Sequence, residues 1–318
     1  MDNLALARAN HHPRDERIRF DVVEHKYYID GCKYPSSVSG LIHDAFPAFD
    51  GPSIVDRGFE KWKRDKESRY CQLIKYLQNV VGFDDNQAKS EILLNWSTDG
   101  NLASTAGTKT HEQIEFTLNF IAIDRSSKEF QQYLRWRATH PGWEPYRTEW
   151  SVFSEPELIC GQIDSLWKDE DGKFVMVDWK RVAAMKKQGF RDQMGFPPFE
   201  NLPASNFNHY IVQQNVYTWM LEQNYGIRVD RCYLVQVHPD IPDFEEHLLP
   251  RIQKAVRVAM ATRREKVQRG ELVAITQYEV LASKKRKVDT GLGSEEKERR
   301  DKLIKFHQSR INALKQLF

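Results

Sequence analysis

Apolar and polar positions alternate at the strand period across the middle of the chain, and at helical spacing on either side of it. Gly161 to Lys180, GQIDSLWKDEDGKFVMVDWK, reads as two apolar arms either side of a polar segment that ends in Asp171-Gly172. That dipeptide is a strong hairpin-turn signal, so the segment predicts a β-hairpin. Residues two apart in a strand share a face. Asp178 and Lys180 therefore point one way, while Val175, Val177 and Trp179 point the other, as a buried sheet surface requires. Asp164 is the only ionisable residue between Gly161 and Trp167, and pairing of the arms brings it beside Asp178.

The same reading carries along the rest of the chain. Residues 1–17 are polar and aperiodic, and are expected to be disordered. Phe20 to Tyr34 alternates as a hairpin around Asp30-Gly31, and Ser37 or Ser39 caps a short helix through Phe46. Helical patterning dominates from Ser53 to Trp96; it breaks at Gly82 and restarts with Asp84 as N-cap. A separate helix is expected from Ala106 through Ile123. Glu149 to Phe153 reads as a strand. Gly195-Phe196-Pro197-Pro198 marks a loop after the hairpin, and its cations Arg181, Lys186, Lys187 and Arg191 suit a phosphate backbone. Asn208 to Asn224 reads as a helix, Cys232 to Val237 as a buried strand and Glu245 to Gln268 as a helix. A basic run, Lys284-Lys285-Arg286-Lys287, then precedes a terminal amphipathic helix.

Composition narrows the class only slightly. The 318 residues suffice for one large domain with appendages, and no apolar run approaches the ~20 residues of a membrane span. Cys32, Cys71, Cys160 and Cys232 stand singly, without metal-site or disulfide spacing, so free thiols in a reducing intracellular compartment are expected. The net charge of +2 conceals an asymmetry. Arg251 to Phe318 holds 18 Lys and Arg against 8 Asp and Glu, while the remainder holds 29 against 37. A basic C-terminal portion suits a polyanionic partner and equally suits a solvated tail. The basic run at 284–287 reads in three ways: a nuclear-import signal, a DNA grip or a solvated segment.

Two carboxylates converging with a lysine at a hairpin end repel one another unless a cation intervenes. Mg²⁺ takes oxygen ligands of this kind. A surface hairpin with an exposed Asp and an Asp–Lys pair is the competing reading. On the helix from Ala106, His111 and Glu115 are i and i+4 neighbours, with Gly107 one turn earlier on the same face.

Taken together, Gly107-x-x-x-His111-x-x-x-Glu115, Gly161-x-x-Asp164, Asp178-x-Lys180 and Gln213-x-x-x-Tyr217 fall in an αβββαβ order. The chain resembles the PD-(D/E)xK nuclease superfamily, and within it the RecB-like and lambda-exonuclease-like branch, to which the mitochondrial genome maintenance exonuclease type also belongs. The resemblance implies an α/β (α+β) fold: a restriction-endonuclease-like core at about 105–240, inside a nuclease domain of 18–270. The N-terminal region is then mostly helical, and 271–318 forms a basic helical tail. It implies Mg²⁺ or Mn²⁺ held by His111, Asp164, Asp178 and the Trp179 carbonyl. Lys180 positions the water and stabilises charge, Glu115 supports His111, and Gln213 and Tyr217 face the site from the later helix. The implied activity is a metal-dependent deoxyribonuclease, an exonuclease in DNA repair, replication or recombination, acting on DNA with a free end. The alternatives are a catalytically inactive nucleic-acid-binding relative and a protein-interaction module using the C-terminal helix. The sequence departs from the family pattern at Gln162-Ile163, where the proline of the family name is absent, and it lacks the four-cysteine cluster and helicase domain of some relatives.

Overall fold

The computed structural model describes residues 4–276 apart from 22, 23 and 25, so the basic run at 284–287 and the terminal helix lie outside the described residues. In chain order the elements begin with α1 (Ala5–Ala9), β1 (Ile18–Asp21), β2 (Lys26–Ile29), β3 (Cys32–Lys33) and β4 (Ser36–Ser37). Four helices follow: α2 (Val38–Ala45), α3 (Gly51–Arg64), α4 (Arg69–Asn79) and α5 (Asp85–Leu118). Next come α6 (Lys128–Thr139), β5 (Glu144–Ser154), β6 (Ile159–Lys168) and β7 (Phe174–Arg181). The chain then runs through α7 (Asn206–Asn224), β8 (Val229–Val237), β9 (Glu245–Leu248), α8 (Gln253–Gln268) and β10 (Ile275–Thr276). The fold is mixed α/β. No helix among the described residues is long and apolar enough to cross a membrane.

The larger sheet runs β4-β6-β7-β8-β9, with β5 along the other edge of β6. β5, β6 and β7 are antiparallel neighbours, and β7 pairs parallel with β8 after crossing over through α7. The predicted hairpin is thus β6–β7, turning at Gly172 with φ +74°. Helices cover both faces, as a sheet that is apolar on both sides requires. Val175, Val177 and Trp179 pack with Ile114 and Leu118 of α5 and Phe130 and Trp136 of α6. On the opposite face Ile163, Leu166 and Met176 pack against Val212 and Val216 of α7 and Val256 of α8. A small sheet, β1-β2-β3-β10, packs Ile18 and Ile29 on Phe153 and Cys160. α3, α4 and the first half of α5 enclose a core of their own around Phe59, Ile74 and Ile92.

Several expectations are corrected. Residues 4–17 are structured: α1 is followed by a 3-10 turn at Pro13–Arg17, and Asp15 in that turn bonds Arg147 and the Trp150 indole. The segment is ordered by pairing with a distant strand, which local composition does not reveal. The helices expected to reach Trp96 and to start at Ala106 are one continuous helix that ends at Leu118, before Ile123. Gly100 and Gly107 lie inside it; each costs about 1 kcal/mol relative to Ala, too little to stop a helix anchored at both ends. The hairpin predicted around Asp30-Gly31 is present as β2–β3, but its first arm also pairs with β1, so the segment holds two hairpins. The expected helix at 245–268 is strand β9 followed by α8, and β10 returns residues 275–276 to the small sheet.

Candidate metal centre

The sheet opens where β6 and β7 part. Their ladder ends at Ser165↔Val177, while the start of β6 pairs instead with β4 at Ile159 and Cys160. On that edge, residues 161–164 of β6 have no strand partner, and the charged groups gather in the gap. Asp164 Oδ2 accepts the Trp179 N–H at 2.9 Å, a side-chain bond where a backbone rung would otherwise lie. Lys180 Nζ stands 2.7 Å from Asp178 Oδ2 and 3.9 Å from Asp164 Oδ2.

On its other edge β6 meets β5, where Thr148↔Ser165 and Trp150↔Ile163 bracket Glu149 and Asp164 and set them opposite each other. Glu149 adopts φ +43°, a left-handed conformation that a non-glycine residue takes up at a cost of about 1–3 kcal/mol. Strand alternation also fails here. Ile163 and Leu166 lie in one core cluster although they are three positions apart, whereas Ser165 bonds the indoles of Trp167 and Trp179 on the other face. Such irregularities re-aim side chains beside functional sites.

His111 enters from α5. Its Nδ1 lies 3.3 Å from Glu149 Oε1 and 3.6 Å from Asp164 Oδ2, and its Nε2 lies 2.9 Å from the Trp179 carbonyl oxygen. Burial alone lowers the imidazole pKa, but Asp164 and Glu149 outweigh it and carry it up to about 9. Glu115, one turn further, is 6 % exposed, and its Oε1 has no hydrogen-bond partner. Burial, then the Glu149 charge, pushes it up to about 7. Burial and Asp164 likewise push the Asp178 carboxyl up, while Gln214 Nε2 donates to its Oδ1 at 2.7 Å. Burial works against charging Lys180, yet Asp178 and Asp164 raise its pKa overall, and the ammonium lies 4.9 Å from the Tyr210 ring centroid.

The residues singled out in the sequence divide into two groups. His111, Asp164, Asp178, Lys180 and the Trp179 carbonyl come together, with Glu115 a turn away. Gln213 and Tyr217 sit to one side, lining a pocket with Gly161, Gln162, Ser36 and Lys26. The Tyr217 ring closes over Gly161, where an added Cβ would lie 2.7 Å from it, and its hydroxyl accepts the Gln162 N–H. The α7 residues that touch the charged cluster are Gln214 and Tyr210. Neither they nor Glu149 stood out in the sequence. Glu149 carried only one signal, its place on a strand next to the one bearing Asp164.

His111, Glu149 and Asp164 each offer one ligand atom, all within 4.8 Å of one another, so the cluster could hold a metal ion. One imidazole with two carboxylates is a donor set for a divalent cation. Glu149, which was not expected, belongs to this set; Asp178 stands beside it, with Oδ1 accepting from Gln214 and Oδ2 buried 2.7 Å from Lys180 Nζ.

No family profile and no curated protein matches the chain. Among solved structures it is similar to SSO0001, with 14 % identity over 73 % of this chain and 76 % of that one, at a TM-score of 0.29. It is also similar to a "Putative exonuclease" from Eubacterium rectale, with 13 % identity over 76 % and 84 % of the two chains, at a TM-score of 0.31. At those scores neither likeness carries an argument about fold or function.

Proposed function

We propose that the chain is a metal-dependent nuclease that hydrolyses DNA phosphodiester bonds, an exonuclease of the PD-(D/E)xK type with a restriction-endonuclease-like core. One observation carries this reading. The ladder between β6 and β7 opens at the point where Asp164, Asp178 and Lys180 meet, with His111 and Glu149 facing them from α5 and β5.

His111, Asp164 and Glu149, with the Trp179 carbonyl, are the groups that would hold Mg²⁺ or Mn²⁺. Bound there, the ion supplies compensation of phosphate charge and a more acidic water. Lys180 orients the attacking water and stabilises negative charge as it develops on the phosphate. Asp178 fixes the ammonium at 2.7 Å, Gln214 fixes Asp178, and the Tyr210 ring keeps the lysine from swinging away. The Asp164 bond to the Trp179 amide ties the two strands together across the gap.

The test is incubation with end-labelled linear and circular DNA, single- and double-stranded, in Mg²⁺, Mn²⁺ or EDTA. Metal-dependent loss of linear DNA alone is the expected result. Nicked circles would make the enzyme an endonuclease, and intact DNA under every condition would overturn the catalytic reading.

A further inference from the structure

The segment between β7 and α7 follows directly from the lysine strand, yet the chemistry above uses none of it. It is built rigidly. Gly195 N–H bonds the Leu202 carbonyl, Phe196 N–H bonds the Ala45 carbonyl, and Ala204 N–H bonds the Gln193 carbonyl. A Cβ at Gly189 would lie 2.3 Å from the Gln193 carbonyl oxygen, and one at Gly195 would lie 2.6 Å from that of Phe199, so the chain is closed tightly at both positions. Arg191 and Asp192 adopt φ +52° and +55°. A loop held this firmly nevertheless displays Phe190 and Phe196, each 50 % exposed. Large aromatics at the surface of an ordered, strained loop contribute little to folding, which is a reason to look for a ligand.

Cations share the segment, and the Arg191 guanidinium lies 5.3 Å from the Phe190 ring centroid. Lys186, Lys187 and Arg191 are exposed. Lys187 lies 5.0 Å from the Phe207 ring centroid, as Lys180 lies 4.9 Å from that of Tyr210. Phe207 and Tyr210 are three residues apart on α7 and so share a face, with a rise of about 4.5 Å between them. The two lysines are therefore stepped along one helix face, one in the charged cluster and one at the foot of the loop. Phe207 N–H also bonds the Lys186 carbonyl, which fixes the loop to the helix start.

We propose that this loop is a single-strand nucleic-acid ledge, on which Phe190 and Phe196 stack exposed bases while Lys187 and Arg191 follow the backbone away from Lys180. The proposal rests on the nuclease reading and adds to it the strand state of the substrate. Stacking on aromatics takes up any base whose face is free, which a paired duplex does not offer.

The experiment measures binding of a fluorescent oligo-dT and of a blunt hairpin duplex to the full chain in EDTA, where no cleavage occurs. Phe190→Ser/Phe196→Ser is compared with wild type, and circular dichroism confirms that both fold alike. Loss of oligo-dT affinity by about tenfold or more, with duplex affinity within twofold, is the expected result, since each stacked base contributes about 1–3 kcal/mol. Unchanged oligo-dT binding by a wild type that binds and cleaves DNA would overturn the ledge and leave the nuclease reading intact. An equal loss for both probes would also overturn it, because stacking on unpaired bases would not be the cause. A wild type that binds neither probe and cleaves nothing would overturn both.

Discussion

Gln214 donates to Asp178 at 2.7 Å in the sheet interior, so α7 grips the carboxylate that in turn positions Lys180. Both residues are 1 % exposed. Gln214→Ala leaves a buried carboxylate oxygen short of a donor, a loss of about 1–3 kcal/mol. Urea melts of Gln214→Ala, Asp178→Asn and the double variant are expected to show a double loss smaller than the sum of the single ones. Strict additivity would mean that the two side chains act independently.

Lys180→Ala is expected to lower the maximal rate of DNA cleavage by about 10²–10³ while leaving metal binding nearly intact, the usual effect of removing one group that stabilises transition-state charge. Steady-state kinetics decide the point. A variant with wild-type turnover and weakened substrate affinity would make Lys180 a phosphate anchor instead.

The hairpin bearing Asp164, Asp178 and Lys180 was legible because two arms of alternating polarity and an Asp-Gly turn all lie within twenty residues. His111 was legible as part of a helix face. Glu149 was not, because its place opposite Asp164 depends on strand register and on a left-handed backbone, and neither leaves a mark in local polarity. Gln214 was not legible either, for a related reason: it sits next to Gln213 on α7. Both neighbours are glutamine, and a helix turns about 100° between them, so only the packing of α7 decides which one reaches Asp178.

Glu149 and Asp178 are expected to separate in metal binding. Glu149→Gln removes a charge from the cluster of mutually close ligand atoms, whereas Asp178→Asn removes one beside Lys180. Titration with Mn²⁺, followed by calorimetry, should show Glu149→Gln weakened about tenfold or more and Asp178→Asn weakened less. Cleavage is expected to be lost in both. The reverse order of affinities would return Asp178 to the ligand set in place of Glu149.

The last prediction concerns acid stability and the N-terminal segment. Asp15 accepts from Arg147 at 2.7 Å and from the Trp150 indole at 2.8 Å, and Arg147 is 5 % exposed. Burial alone would raise the Asp15 carboxyl, but the bond from Arg147, the His12 amide and the Trp150 indole hold it below the usual carboxylate range. A group whose pKa is depressed on folding stabilises the fold above its unfolded value, about 4, and that contribution disappears as pH falls through the lower folded value. Asp15→Asn strands a buried guanidinium, with an expected cost of about 3–5 kcal/mol at neutral pH. Thermal melts from pH 7 down to pH 3 should therefore show the gap between wild type and Asp15→Asn constant down to about pH 4, then closing as wild type loses its advantage. A gap that stays constant to pH 3 would mean that the loss comes from packing of the 3-10 turn, with the ion pair contributing nothing measurable.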